Sequence, residues 1–279
     1  MKKIILVPTD LSANSRAGIR FAIQTASQTR DSLVFFYCIE FLKPTRWSDS
    51  QYDSYLKKEL DDARDAAVRF VADVYEKAGL RSPRIKCVVR QSAEAGKAII
   101  EYAKEINAAA ICMSTRGAGR FKKLIGNHAS AIITRSPVPA FVIPKTYRRA
   151  PVRHIVYSSD LNNVAPELKQ VKDLAKRFKA KVSVLHYDYL ADVQEARLKL
   201  EKVAARYETA DVKFHFEKLD LTQPLSKQLL KDIGKYKASL AVLFTDQKRG
   251  WFDKLFLSSK STDVEFDSRI PLLVIPKSA

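Results

Sequence analysis

Residues 111–145 read ICMSTRGAGRFKKLIGNHASAIITRSPVPAFVIPK. An apolar run, Ile111, Cys112 and Met113, breaks into a loop carrying Gly117, Gly119 and Gly126. A helical stretch follows, and the segment closes on a proline-bounded apolar run, Pro139 to Pro144. Strand, glycine loop, helix start and strand together present bare backbone N–H groups and a helix N-terminus to an anion. Glycine permits the close backbone approach that a Cβ blocks. Taken alone, the pattern also suits a plain turn.

Outward from this stretch the chain alternates strand and helix. Ile4–Val7, Leu33–Ile39, Ile85–Val89, Ala109–Met113 and Ala140–Ile143 read as five short buried strands. Ser12 is placed to cap a first helix with Ile19, Ala22, Ile23 and Ala26 inward. A second helix carries Leu56, Leu60, Ala63, Ala67, Val71 and Val74 and stops at Gly79. Ser92 is placed to cap a third, with Ile99, Tyr102, Ala103 and Ile106 inward. The pattern then repeats: IILVPTDL at 4–11 matches HIVYSSDL at 154–161, and PAFVIPK at 139–145 matches PLLVIPK at 271–277. Strands of the second copy are Ile155–Tyr157, Val182–His186, Val212–Leu219, Leu240–Phe244 and Leu272–Ile275. Pro166 and Pro224 suit the first turns of two of its helices.

Strands separated by helices of this length form βαβ crossovers. The expected fold is α/β: two tandem Rossmann-like doubly wound domains, each a five-stranded mainly parallel sheet with helices on both faces. The repeat puts the first domain at 1–146, a linker at 147–152 and the second domain at 153–279. Ligands of such sheets bind beyond the carboxyl ends of the strands, where the strand order reverses. Asp10, just after the first strand, and Ser114–Gly126, just after the fourth, converge there.

Composition narrows the function classes. No apolar run approaches the roughly 20 residues that span a bilayer, and Pro8 and Asp10 come too early for a signal-peptide core. Cys38, Cys87 and Cys112 lie in apolar or strand-like runs without metal-ligand spacing, which reads as free thiols of a cytoplasmic protein. The net charge of +18 is spread through helices and reads as solvated surface; nucleic-acid binding ranks low. There is no GxSxG, HExxH, CxxC or Walker lysine motif, and no residue stands out as a general base. The chain does not read as an enzyme. His128, His154, His186 and His215 lack partnered carboxylates at telling spacing, so no metal site is proposed.

VPTDLS after the first strand, STRGAGRFKKLIGN after the fourth and the terminal Pro-x-x-Val-Ile-Pro together resemble the universal stress proteins, here in tandem and more closely in the first half. Many members bind ATP through G-x2-G-x9-G-[ST]. This chain has Ser114 for the first glycine, a spacer one residue shorter between Gly117 and Gly126, and Asn127 for the final hydroxyl residue. The resemblance implies an adenine-side role for Asp10 and the Cys38 backbone, with Pro8 lining the same pocket. It implies ribose and phosphate contacts from Met113, Ser114, Arg116 and Gly117, with Gly126 and Asn127 at the helix start. The implied ligand is ATP or AMP in the first domain only, with Mg accompanying ATP and at most slow ATP hydrolysis. Ser114 is the departure that matters, because its side chain competes for space that ribose or phosphate needs.

In the second copy the loop keeps Gly250 out of register, Leu257 replaces the counterpart of Gly126, and Asp246 would repel phosphate. That domain is expected to support the first without binding nucleotide. Phe41–Tyr55 interleaves aromatics with basic residues; it reads as a packing flap or helix start, with a lid or partner surface as the functional alternative. The matching PAFVIPK and PLLVIPK segments suit an intramolecular pseudo-dimer, as family members commonly pair through such strands, and leave a homodimer open. Two functions stay in view: a nucleotide-responsive regulator with an unidentified protein partner, and a nucleotide-free scaffold whose two sites are degenerate.

Overall fold

Short runs that are apolar on both faces need helices above and below them, and the chain supplies both. The computed structural model describes residues 2–41, 43–115, 132–188, 194–245 and 270–277. The chain divides into two units, Met1–Arg149 and Ala150–Ala279. In the first, β1 (Ile4–Thr9), α1 (Arg16–Thr29), β2 (Ser32–Ile39), α2 (Asp49–Lys77), β3 (Cys87–Gln91), α3 (Ala95–Glu105), β4 (Ala110–Ser114) and β5 (Ala140–Ile143) follow in order. Their sheet order is β3-β2-β1-β4-β5, parallel throughout. The second unit holds β6 (His154–Ser158), α4 (Val164–Phe178), β7 (Lys181–Asp188), α5 (Gln194–Tyr207), β8 (Val212–Lys218), α6 (Leu225–Lys235), β9 (Leu240–Thr245) and β10 (Leu272–Pro276). It repeats the order as β8-β7-β6-β9-β10, again parallel. Each sheet reverses direction of winding at its first strand, so β1 and β4, and β6 and β9, flank the two switch points.

Several local readings shift by a few residues. Helix α1 begins later than a Ser12 cap predicts, because Leu11 turns into the left-handed region at φ 57°, as Leu161 does at 61° in the second copy. Side chains hold that turn: Leu11 N–H donates to Thr9 Oγ1 at 3.1 Å and Ser12 N–H to Asp10 Oδ1 at 3.0 Å. Ser15 becomes the residue before the helix. Ser92 closes a similar turn by accepting Glu94 N–H at 3.0 Å, and α3 starts at Ala95. Pro166 falls in the first turn of α4, whereas Pro224 sits just before α6 at φ −57° and ψ 137°.

Helix α2 starts at Asp49 behind a capping box between Ser48 and Gln51, so part of the Phe41–Tyr55 stretch is the first turns of a 29-residue helix. The segment read as a linker is anchored at both ends. Tyr147 sets its ring edge-on to Phe21 with centroids 5.4 Å apart, and Val152 is fully buried.

On the second sheet three polar side chains form one chain across neighbouring strands. His154 Nε2 lies 3.0 Å from Ser183 Oγ, and Ser183 Oγ lies 3.1 Å from His215 Nε2. Burial lowers the pKa of both rings; for His215, Glu217 opposes this while Lys235 and His154 reinforce it. A histidine that resists protonation only when folded makes the unfolded chain the better proton acceptor. The stability these rings contribute is therefore present above their ordinary pKa of 6.5 and is lost as pH falls through the lower folded values. Denaturant midpoints measured stepwise from pH 7.5 to 5 should fall, and a His154→Gln, His215→Gln double variant should flatten that slope.

Candidate functional site

The first switch point is opened by a proline. Along β1, Ile4 C=O accepts Ala109 N–H from the β4 side and Lys3 C=O accepts Ser32 N–H from the β2 side, both at 2.8 Å. Backbone groups alternate, so position 8 faces β4, and Pro8 has no N–H to give it. The β1–β4 ladder stops at Leu6 opposite Ile111, while the β1–β2 ladder continues to Thr9 opposite Tyr37. At the matching place in the second unit stands Ser158, and there the β6–β9 ladder runs on to Ser158 opposite Leu243.

Around the first opening lie the carboxyl ends of three adjacent strands. Asp10 is exposed and anchors the turn after β1. The last rung with β2 is followed by Cys38, whose backbone carbonyl faces the β1 side; Leu11 N–H, the donor next in line, goes to Thr9 Oγ1 instead. The Cys38 thiol is 3.5 Å from Ser92 C=O, and burial raises its pKa, which makes it a poor nucleophile. Burial likewise pushes the Cys87 thiol up to about 11 and raises Cys112 further still.

Met113 is buried in β4, and the next residue, Ser114, turns its hydroxyl toward α1. Its Oγ accepts Gly18 N–H at 2.8 Å. Gly18 belongs to the first turn of α1, whose N–H groups have no partner within the helix. Ser15 gives that turn no side-chain cap, because its hydroxyl donates to Ser12 C=O and lies 2.9 Å from Thr9 Oγ1. A strand residue thus caps the helix. The approach is close enough that a Cβ on Gly18 would lie 3.0 Å from both the Met113 carbonyl carbon and the Ser114 nitrogen.

The second unit remodels the same place. Helices α1 and α4 both end on left-handed residues, Arg30 and Lys179, and the same distance back from each lie Gly18 and Glu167. The packing agrees, since buried Ile19 and Ala22 match buried Leu168 and Val171. Glu167 is 3% exposed, and its Oε2 accepts the Tyr157 hydroxyl, which stands where the first unit has Val7. Lys277 Nζ, at the end of β10, lies 3.0 Å from Asp160 Oδ2 and 3.3 Å from Glu167 Oε1. Burial works against charge on both Lys277 and Asp160. Their mutual hydrogen bond, with Glu167 acting on Lys277 and Asn162 on Asp160, outweighs it, raising the lysine pKa and lowering that of the aspartate. Beside this group opens a cavity of about 570 Å³ whose walls include His186, Tyr187, Leu225 and Phe244.

The family model of the universal stress proteins matches residues 1–144. The chain belongs to the universal stress protein family. A universal stress protein from Archaeoglobus fulgidus DSM 4304 shares its fold at a TM-score of 0.67 and 18% identity, covering 99% of this chain and 98% of the other. A protein of unknown function from Pseudomonas aeruginosa PAO1 reaches 0.62 at 18% identity, covering 99% of this chain and 92% of the other. No functionally curated protein matches at a significant level.

Of the residues that the family's nucleotide pattern marks in this universal stress protein, Pro8, Asp10, Cys38, Met113 and Ser114 come together at one end of the first sheet. Arg116, Gly117, Gly126 and Asn127 lie outside the described residues, as do Gly119, His128, Asp246, Gly250 and Leu257. The aromatic stretch folds on itself: Phe41 stacks on Tyr52 and Tyr55 with centroids 5.8 and 5.1 Å away, and Trp47 meets Tyr55 edge-on at 5.0 Å. Residues that the sequence reading missed are Thr9, Ser15 and Gly18, which shape the α1 entry, and Tyr157, Glu167 and Lys277. The repeated Asp10/Asp160 and Lys145/Lys277 positions carried a signal for the Asp160–Lys277 pair. Glu167 had none until helix register was known. No helix is long and apolar enough to cross a membrane, and no cluster of three His, Cys, Asp or Glu residues is placed to hold a metal, among the described residues.

Gly18→Ala tests the close approach. Alanine favours a helix interior, but here its methyl meets strand backbone that cannot step aside, so a net loss of about 1–2 kcal/mol is expected. Urea denaturation of the two proteins measures it.

Proposed function

We propose that the chain is a cytoplasmic stress-response regulator whose first unit binds an adenine nucleotide, ATP or AMP, and whose occupancy biases contact with a protein partner. The observation that carries this reading is the parting of β1 from β4 at Pro8, in a chain of the universal stress protein family. The opening offers what a base needs: a carboxylate acceptor at Asp10 and a strand carbonyl at Cys38, both able to receive N–H or O–H donors. Met113 and Ser114 would lie under the sugar. Phosphates, with Mg accompanying ATP, would be held by Arg116, Gly117, Gly126 and Asn127, where glycine leaves N–H groups open to an anion.

The second unit lacks this function in the same reading. Its ladder stays closed through Ser158, and Asp246, in its counterpart of the glycine loop, would confront phosphate with negative charge.

A scaffold without nucleotide is the second reading, and one observation favours it. The family pattern has glycine where Ser114 stands, and the Ser114 hydroxyl is committed to Gly18 N–H. Calorimetric titration of the full chain with ATP and with AMP separates the two. Saturable binding that is lost in Gly126→Leu supports the regulator; no heat at millimolar nucleotide supports the scaffold. Ser114→Gly should tighten binding, while removal of the cap on α1 lowers stability by about 1 kcal/mol.

A further inference from the structure

We infer that the cavity at the carboxyl ends of β6, β7 and β9 is a binding site for a small organic cation, a primary ammonium or amidinium carried on an apolar body. Among the described residues on the cavity wall, Asp160 and Glu167 face a single ammonium, Lys277, so the charged set is one negative charge in excess.

Several of the donors beside it have partners. Tyr157 gives its hydroxyl hydrogen to Glu167 Oε2, and Tyr187 gives its own to Asp232 Oδ2 at 2.8 Å. Lys277 is shared between two carboxylates, and Asn162 N–H goes to Asp160 Oδ1 at 3.0 Å. The acceptors, by contrast, have capacity left. His186 Nδ1 lies 2.9 Å from Ser159 C=O. A carbonyl only accepts, so Nδ1 carries a hydrogen. Glu167 is buried on the cavity wall, and among the described residues its Oε1 accepts no hydrogen bond and is met by the Lys277 ammonium at 3.3 Å. The Asp160 side chain is 47% exposed and open to a further donor.

A pocket rich in acceptors and net negative is the complement of a donor-rich cation. Phe244, Leu225 and the Tyr187 ring supply apolar wall for its body. Phosphate and carboxylate ligands meet the wrong charge. The inference concerns the second unit alone and stands whether or not the first unit holds a nucleotide.

The test is a charge series on the full-length protein: 2-phenylethylamine, its neutral isostere 2-phenylethanol and the anion 3-phenylpropanoate, titrated by calorimetry at low salt. The amine should bind saturably and the other two should not, and added salt should weaken the amine. Asp160→Asn keeps the side chain's shape and should weaken amine binding roughly tenfold. Leu225→Arg, which brings a competing guanidinium to the wall, should abolish it. Equal binding of the alcohol, no binding of the amine up to 10 mM (about the weakest affinity worth calling a site), or amine binding unchanged in both variants would each overturn the inference. Thermal melts show whether the variants fold; if either does not, the charge series on the unmodified chain decides alone.

Discussion

A parallel sheet holds two strands together by rungs that alternate between neighbours, and each rung needs an N–H. At position 8 the donor that should reach β4 is missing because the residue is proline, and from there the strands part. At position 158 the residue is serine, and the strands stay joined up to it, two residues further than in the first unit. Part of the difference between the two ends begins at this one donor. An opened switch point leaves Asp10 and the Cys38 carbonyl around a crevice, whereas a closed one moves the available space outward, to the cavity beside His186 and Tyr187.

A second position works with the first. Gly18 lets α1 lie against β4 so closely that a strand serine caps the helix. At the same place α4 carries Glu167, a side chain too large for that approach and too polar to be buried alone. Its burial requires partners, and they come from two distant parts of the chain: the Tyr157 hydroxyl from β6 and the Lys277 ammonium from the end of β10. Removing one partner of such a buried group costs more than the pair itself contributes, so the exchange of Gly18 for Glu167 is coupled to those of Val7 for Tyr157 and of Ser114 for Phe244. The rings of Tyr157 and Phe244 meet edge-on at 5.5 Å, filling the region where the first unit has its glycine contact.

The two units therefore share a topology and have diverged in chemistry. One end keeps small residues, a first strand that parts early from one of its two neighbours and a helix whose first turn is bonded by serine. The other has a charge-dense wall and a continuous ladder. A duplicated domain that retains both its strand order and its left-handed turn at Leu11 and Leu161 had freedom to change the side chains that face the switch point, because those residues contribute little to the sheet itself.

Much of this was legible in the residues. Apolar runs such as Ile4–Val7 and Ala140–Ile143 declare buried parallel strands, the matched octapeptides at 4–11 and 154–161 declare a repeat, and Pro8, Asp10 and Ser114 can be placed at the switch in strand order without coordinates. Helix starts were less legible. Ser12, Ser15 and Ser92 are all plausible caps by type, and only the course of the backbone through Leu11 chooses among them. By itself the sequence determined the fold, the duplication and the place where each sheet reverses, because hydrophobic periodicity and prolines act locally. Only the tertiary structure decided that Ser114 serves α1 and that Glu167, Tyr157 and Lys277 form one group. Those contacts join residues far apart in the chain, and their existence depends on the register in which helix and sheet are pressed together.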